Sequence, residues 1–415
     1  MPGVTAPTLP SRGPATGRAM LVVSVLLIAA NLRFGVTSAG ALLHHLGVSG
    51  PVAAVLTALP IICFGLAGLA ASPLIARWGR EKLLTASLCC TGAGLLLRGL
   101  DGTATLIAGT AVAMAGVAIG NVLMPSVVRA WFPDQVARLT GAYSATLVAA
   151  SAAGSSAAVP LANLLGGPRA GLAVWAPPAL LALGLWCAVR RQVPAQDTAP
   201  GAARHGIGRT ARHSTTRVLT LFFGAQAFTG YVVLEWLPTI LAERGGVDPA
   251  SAGLLVGTAM LLSGVVAVAL PRLSARLSDL RPVVVAVSLA MACGFLGLLL
   301  APGQLPVLWA ILTGLGMGVF PLGLMLVGLK AQTPDATAAL SVVVQSVGYL
   351  VAGVLMSLFG ALRSAGGGWT WPLVMTLAVV LAQILAGLRA AHHRTLPVDA
   401  ASGERPAPHP RTRNL

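Results

Sequence analysis

Residues 19–43 read AMLVVSVLLIAANLRFGVTSAGALL, and the fold turns on how that run is understood. It is long enough to cross a hydrocarbon layer ~30 Å thick as a single helix. Polar, Pro- and Gly-rich residues 1–18 precede it. The run is too long for a cleaved signal-peptide core, so it reads as an uncleaved first span. Arg33 lies 14 residues inside it. At ~1.5 Å of rise per residue its Cα is roughly 21 Å from the start, too deep for the guanidinium to stretch easily back to water. A cation there costs at least ~2.5–3.5 kcal/mol on insertion scales, so Arg33 is expected to face a protein interior or a watery cavity.

The rest of the chain repeats the pattern. Of 415 residues 56% are hydrophobic and only 9% charged, against about 25% charged in ordinary soluble domains. Apolar runs of span length recur at about 51–76, 83–99, 104–128, 139–161, 171–189, 218–241, 250–270, 283–301, 306–329, 336–360 and 371–390, twelve in all with the first. Lone helices satisfy their own backbone in lipid, so the expected class is an all-α membrane protein with twelve transmembrane helices. Asp248-Pro249 and Thr333-Pro334 each read as an N-cap followed by proline at the first helical position. The five cysteines all lie in apolar runs without a CxxC pair and read as packing residues.

Net charge is +16, and its distribution decides what it means. With the N-terminus, every second loop and the C-terminus on one side, that side holds 22 of the 27 basic residues. The opposite side holds Arg98, Arg169, Arg244 and Arg363. The positive-inside rule then puts both termini in the cytoplasm of a cell with the protein in its plasma membrane. The same dispersal over many membrane-edge segments excludes a nucleic-acid face.

The two halves repeat. Gly47-Val48-Ser49-Gly50-Pro51 aligns with Gly246-Val247-Asp248-Pro249-Ala250 at an offset of 199. Arg129 with Phe132-Pro133-Asp134 aligns with Lys330 with Thr333-Pro334-Asp335 at 201. Two six-helix repeats about a central axis, with the substrate site at midplane between them, is the major facilitator fold. The expected division is a cytoplasmic tail (1–18), an N-terminal six-helix bundle (19–191), a cytoplasmic linker (192–216), a C-terminal six-helix bundle (217–391) and a disordered cytoplasmic tail (392–415). The offset carries Arg33 onto Val232, three residues from Glu235, the one acid that falls well inside a span. Base and acid therefore share a depth to within about 4.5 Å, on the first span of each half.

Several stretches, taken in order, resemble the cyanate / 2-nitroimidazole permease family, a branch of the major facilitator superfamily. They are Asn31-Leu32-Arg33 with Thr37-Ser38, Leu59-Pro60 with Cys63-Phe64-Gly65, Ile119 to Pro125, Trp236-Leu237-Pro238, Gln345 to Tyr349, and Gly368-Trp369-Thr370. The resemblance covers roughly residues 20–390 and implies a proton-linked or facilitative carrier of small anions or polar heterocycles. The superfamily's gating loop between spans 2 and 3 is represented by Arg77, Gly79 and Arg80, with Ala76 where an Asp is usual. Glu235 stands where that family would have a small neutral residue.

The expected activity is secondary transport of a small anionic or polar solute by alternating access, probed here by named groups. Arg33 offers a planar fork for an anion. Asn31, Asn121, Gln226, Tyr231, Gln345 and Tyr349 are candidate hydrogen-bonding partners, with Tyr143 a weaker one. About half of such intramembrane polar groups only join helices. Glu235 is either the proton carrier or a structural counter-ion to Arg33. His44-His45 reads as interfacial rather than metal-binding, and Trp131, Trp369 and Trp371 as interface anchors. No cofactor or metal is expected; the partners are the solute, the bilayer and protons, for a monomer. An efflux carrier of drugs or toxicants and a transporter-like sensor are the alternatives. The sequence shows no Ser-His-Asp set, metal-ligand cluster or phosphate loop that would suggest an enzyme.

Overall fold

Backbone groups in lipid have no water to bond, and the apolar runs answer by becoming helices. The computed structural model describes residues 15–190, 213–274, 277, 279–330, 334–366 and 368–391, which contain helices and no strand. In chain order they are α1 (Ala15–Leu42), α2 (Gly50–Trp78), α3 (Arg80–Arg98), α4 (Thr103–Trp131), α5 (Val136–Leu164) and α6, in two pieces (Pro168–Ala173 and Ala176–Val189). Then come α7 (Ser214–Tyr231, a π-helical stretch Val232–Trp236, and Leu237–Glu243), α8 (Pro249–Ser274), α9 (Arg281–Leu300), α10, in two pieces (Pro306–Gly316 and Val319–Lys330), α11 (Pro334–Gly366) and α12 (Thr370–Ala391). Eleven of these pass as spans on length and apolarity. The twelfth, α3, carries Arg80, Glu81, Lys82 and Arg98 at its ends, which lower its mean hydropathy.

The expected tails and linker fall largely on residues 1–14, 191–212 and 392–415, which lie outside the described residues. At the linker's far end α7 already begins at Ser214, where the His213 ring accepts a hydrogen bond from the Thr215 N–H. The N-cap read at Asp248 is present: its carboxylate accepts from the Ser251 N–H at 3.1 Å. The duplicated turn is visible in the backbone, since Gly47 and Gly246 both take left-handed conformations, φ 60° and 64°. A side chain is strained there, which is why the repeat keeps glycine at both.

Small residues join the two halves along two helix pairs. On α2 and α11, Gly50 abuts Ser364, Ala54 abuts Gly360, and Gly65 abuts Leu350. On α5 and α8, the Ser155 hydroxyl donates to the Gly253 carbonyl at 3.1 Å, and Gly264 packs on Val148. Such close backbone approach is the usual source of helix association in lipid. Within the N-terminal half, Gly116 and Gly120 face Ser87, whose hydroxyl donates to the Gly116 carbonyl at 2.7 Å, so the GxxxG pair of α4 packs on α3. Large apolar side chains such as Leu164, Val354 and Trp371 remain exposed on the outside of the bundle, where lipid covers them.

Candidate substrate site

The π-helical stretch on α7 is built by one residue. Pro238 has no N–H to return to the carbonyl four residues earlier, and its ring crowds that carbonyl. The helix therefore loosens by one residue, and the Leu237 N–H reaches the Val232 carbonyl. Glu235 rides on this bulge and is 2% exposed. Single-turn π-bulges inside α-helices are frequent at working sites. On α1, Gly40 lies against the Leu234 carbonyl and the Glu235 backbone, so closely that any Cβ there would collide with them. Glycine at this position lets α1 seat directly on the bulge.

Arg33 is half-buried on α1. Among the described residues nothing accepts a hydrogen bond from its side chain or pairs with it as an ion. Its charge acts on the hydroxyls of Tyr143 from α5, Tyr231 from α7 and Tyr349 from α11, so the guanidinium stands between the halves. The Tyr143 hydroxyl donates to Asn121 Oδ1 at 3.5 Å, tying α5 to α4 beside it. Gln345, half-buried, lies one turn before Tyr349 and has no partner among the described residues. Gln226 is 4% exposed, and its Nε2 is buried without an acceptor.

Two rings that sequence reasoning gave no role complete this region. Phe64 on α2 lies 6.5 Å from the Tyr231 ring and 5.5 Å from the Tyr349 ring, and Phe223 meets Tyr349 edge-on at 5.2 Å. Phe64, Tyr231 and Tyr349 thus bring flat ring faces together beside the Arg33 guanidinium. Asn31 is placed differently: its amide donates to the Leu27 carbonyl at 2.8 Å and to the Pro178 carbonyl at 3.1 Å, joining α1 to α6. That is helix glue, although Oδ1 is left without a donor.

The chain matches the Major Facilitator Superfamily profile over residues 20–352. It belongs to that superfamily. It is 36% identical to the 2-nitroimidazole transporter of Escherichia coli (strain K12) over 385 residues, covering 91% of this chain and 97% of that protein. It is 32% identical to the cyanate transport protein CynX of the same strain over 380 residues, 90% of this chain and 97% of that one. Among solved structures, a bacterial homolog to the human lysosomal transporter Spinster aligns with TM-score 0.72 at 15% identity, over 91% of this chain and 98% of that one, which speaks to the fold alone. The protein is a membrane transporter of small solutes, not an enzyme.

Within this superfamily frame, the structure gives several of these residues surroundings that the sequence did not show. Among the described residues Arg33 and Glu235 form no ion pair, and Glu235 packs at Gly40, seven residues along α1 from Arg33; the arginine whose charge reaches Glu235 is Arg98. Arg98, at the end of α3, turns its side chain into the protein. It is 2% exposed, with its Nη1 donating to the Gly35 carbonyl on α1 at 2.8 Å. Trp369 is not an interface anchor: it is 4% exposed, and its indole N–H donates to the Glu243 carboxylate at 2.9 Å. Trp131, half-buried at the end of α4, stacks on Trp186 at 4.8 Å, and Trp371 is 65% exposed, as an anchor would be. His44 pairs with Glu243 at 3.3 Å, and Arg363 meets the same carboxylate at 2.6 Å while lying over the Trp369 ring.

The sequence signal for that last cluster was present: Glu243 is His44 plus the repeat offset of 199. A cleft of about 350 Å³ opens beside it, between Gly50, Trp236, Thr239 and Ser364. Deeper in the C-terminal half, Gln383 donates to Ser288 at 3.1 Å and accepts from Thr229 at 3.2 Å, a satisfied link of α12 to α9 and α7. The Arg77–Gly79–Arg80 turn between α2 and α3 is closed by the Gly79 N–H to Ile75 at 2.9 Å, with Arg77 exposed.

Proposed function

We propose that this transporter moves a small planar anion or polar heterocycle across the plasma membrane by alternating access, coupled to protons. The observation that carries the reading is Arg33, a half-buried guanidinium between the halves with no partner among the described residues. A half-buried guanidinium inside a span that spends none of its donors on the described protein keeps them for a solute. The substrates for which the relatives are named, a nitroimidazole and cyanate, are small and flat. Phe64, Tyr231 and Tyr349 would flank such a solute while Arg33 holds its charge; Asn121, Gln226 and Gln345 would orient it. Asn31 serves the site by fixing α1.

Glu235 is proposed as the proton carrier. Both termini face the cytoplasm on the charge count, so the Glu243 end is outside. The N-terminal bundle (19–191) and the C-terminal bundle (217–391) act as rocking bodies, with the Arg77–Gly79–Arg80 turn gating the inner side, and the protein works as a monomer.

The test is uptake into proteoliposomes of cyanate, 2-nitroimidazole and small carboxylates, with and without a pH gradient. Saturable uptake of at least one, lost in Arg33→Ala, is expected. Unchanged apparent affinity in Arg33→Ala contradicts the reading.

A further inference from the structure

Arg98 is a buried charge that neither the depth argument nor the substrate site uses. It reaches in from the last turn of α3 and is held on α1 through the Gly35 carbonyl. Gly109 of α4 lies against the Arg98 backbone and Cγ, so small residues on both α1 and α4 clear its path. Five residues further along the same α1, Gly40 bears on the backbone of Glu235. Arg98 belongs to the N-terminal half and Glu235 to the C-terminal half, and α1 puts the two about a turn and a half apart along its axis. They are too far apart for a direct ion pair, yet each acts on the other's charge, and Nε of one and Oε1 of the other are buried with no hydrogen-bond partner.

The groups around the carboxylate are few. Arg98 acts on it from α3; on its own helix Tyr231 lies one turn earlier, and Tyr231 is in turn acted on by Arg33 of α1 and Tyr349 of α11. Glu243, two turns on, is held by His44, Arg363 and Trp369.

We propose that Arg98 is the positioning residue through which the charge on Glu235 controls closure of the outer side. With Glu235 ionised, attraction to Arg98 across low-dielectric protein draws the π-bulge of α7 onto α1 and holds the outer ends of the halves together. A proton taken up by Glu235 cancels that attraction, and the halves are free to part there. Arg33 is left to the substrate. The proposal rests on Glu235 being the proton carrier, and it names the partner that turns protonation into movement.

The experiment reads outer opening directly. Ser155 is 1% exposed and bonded across the halves to Gly253, so Ser155→Cys reports their separation with little change of shape. The full chain in proteoliposomes is labelled with a membrane-impermeant thiol reagent from pH 8 to pH 5. Each rate is divided by that of Asp101→Cys, an exposed loop position, to remove the pH dependence of the thiol.

In the parent the normalised rate should rise at least fivefold as pH falls. In Arg98→Gln it should be high and flat, and Arg98→Lys should restore the pH dependence. Glu235→Gln should also be flat, and the double variant no different from either single one. A pH-dependent rate persisting in well-folded Arg98→Gln overturns the proposal. Where the Arg98 variants fail to fold, Glu235→Gln decides, since pH dependence surviving there overturns it equally. Gradient-driven accumulation in the same vesicles separates the two ideas. Accumulation lost in Glu235→Gln together with pH-dependent labelling in Arg98→Gln sinks the role of Arg98 alone. Accumulation surviving in Glu235→Gln sinks the coupling reading beneath it.

Discussion

Two glutamates stand eight residues apart on α7, and their surroundings are opposite. Glu243 accepts from Arg363, Trp369 and His44, contributed by α11, by the turn before α12 and by the turn after α1. Glu235, two turns deeper, accepts from no described residue, and the adjacent Trp236 also buries an N–H without an acceptor. A buried polar group left unpaired costs about 1–3 kcal/mol, and a charged one more. The satisfied cluster is what a closed latch needs. The unsatisfied centre is stable only if something else, a solute at Arg33 or a proton at Glu235, completes it.

The centre gives the largest expected effect. Arg33→Ala should lower kcat/KM for an anionic solute by about 100-fold, the value of a bidentate charge-assisted contact at ~1.5–3 kcal/mol. Arg33→Lys, which keeps charge but loses the fork, should fall by about tenfold. Kinetics in proteoliposomes check both, and equal effects of the two variants would remove the fork from the account. Next comes the latch. Glu243→Gln leaves Arg363 without its counter-ion at a site about one quarter exposed. It should cost about 1 kcal/mol and a few degrees of thermal midpoint in detergent, with substrate affinity unchanged. A tenfold change in KM there would blur the distinction between the regions. The smallest effect belongs to Trp369→Phe, which removes one hydrogen bond and keeps the ring under Arg363. A loss of about 0.5–1 kcal/mol is expected, measured by the same unfolding scan.

The membrane class, the helices and the repeat were legible in the sequence, because apolar run length and a recurring turn are local signals. Gly47 and Gly246 illustrate it: one backbone conformation, two copies, 199 residues apart. Arg33 and Glu235 were legible by depth alone. Arg98 was not, because it closes its own apolar run and so looks like a membrane-edge residue. Its burial depends on Gly35 and Gly109 clearing space on two other helices, which no linear pattern reveals. Trp369 was misread for a related reason. An indole at a span end anchors to the interface unless a buried acceptor lies nearby, and Glu243 comes from 126 residues away. The aromatic walls around Arg33 required the fold to bring Phe64, Tyr231 and Tyr349 together from three helices.

The central claim is that the unpartnered glutamate carries the coupling proton and the partnered one does not. The direct measurement is pH-gradient-driven accumulation beside exchange of labelled for unlabelled solute, in Glu235→Gln and Glu243→Gln reconstituted at matched levels. Exchange needs no net proton movement. The account predicts that Glu235→Gln loses accumulation and keeps exchange, with folding intact because no direct ion pair or hydrogen bond to Glu235 is lost, whereas Glu243→Gln keeps both. Full accumulation by well-folded Glu235→Gln would contradict it.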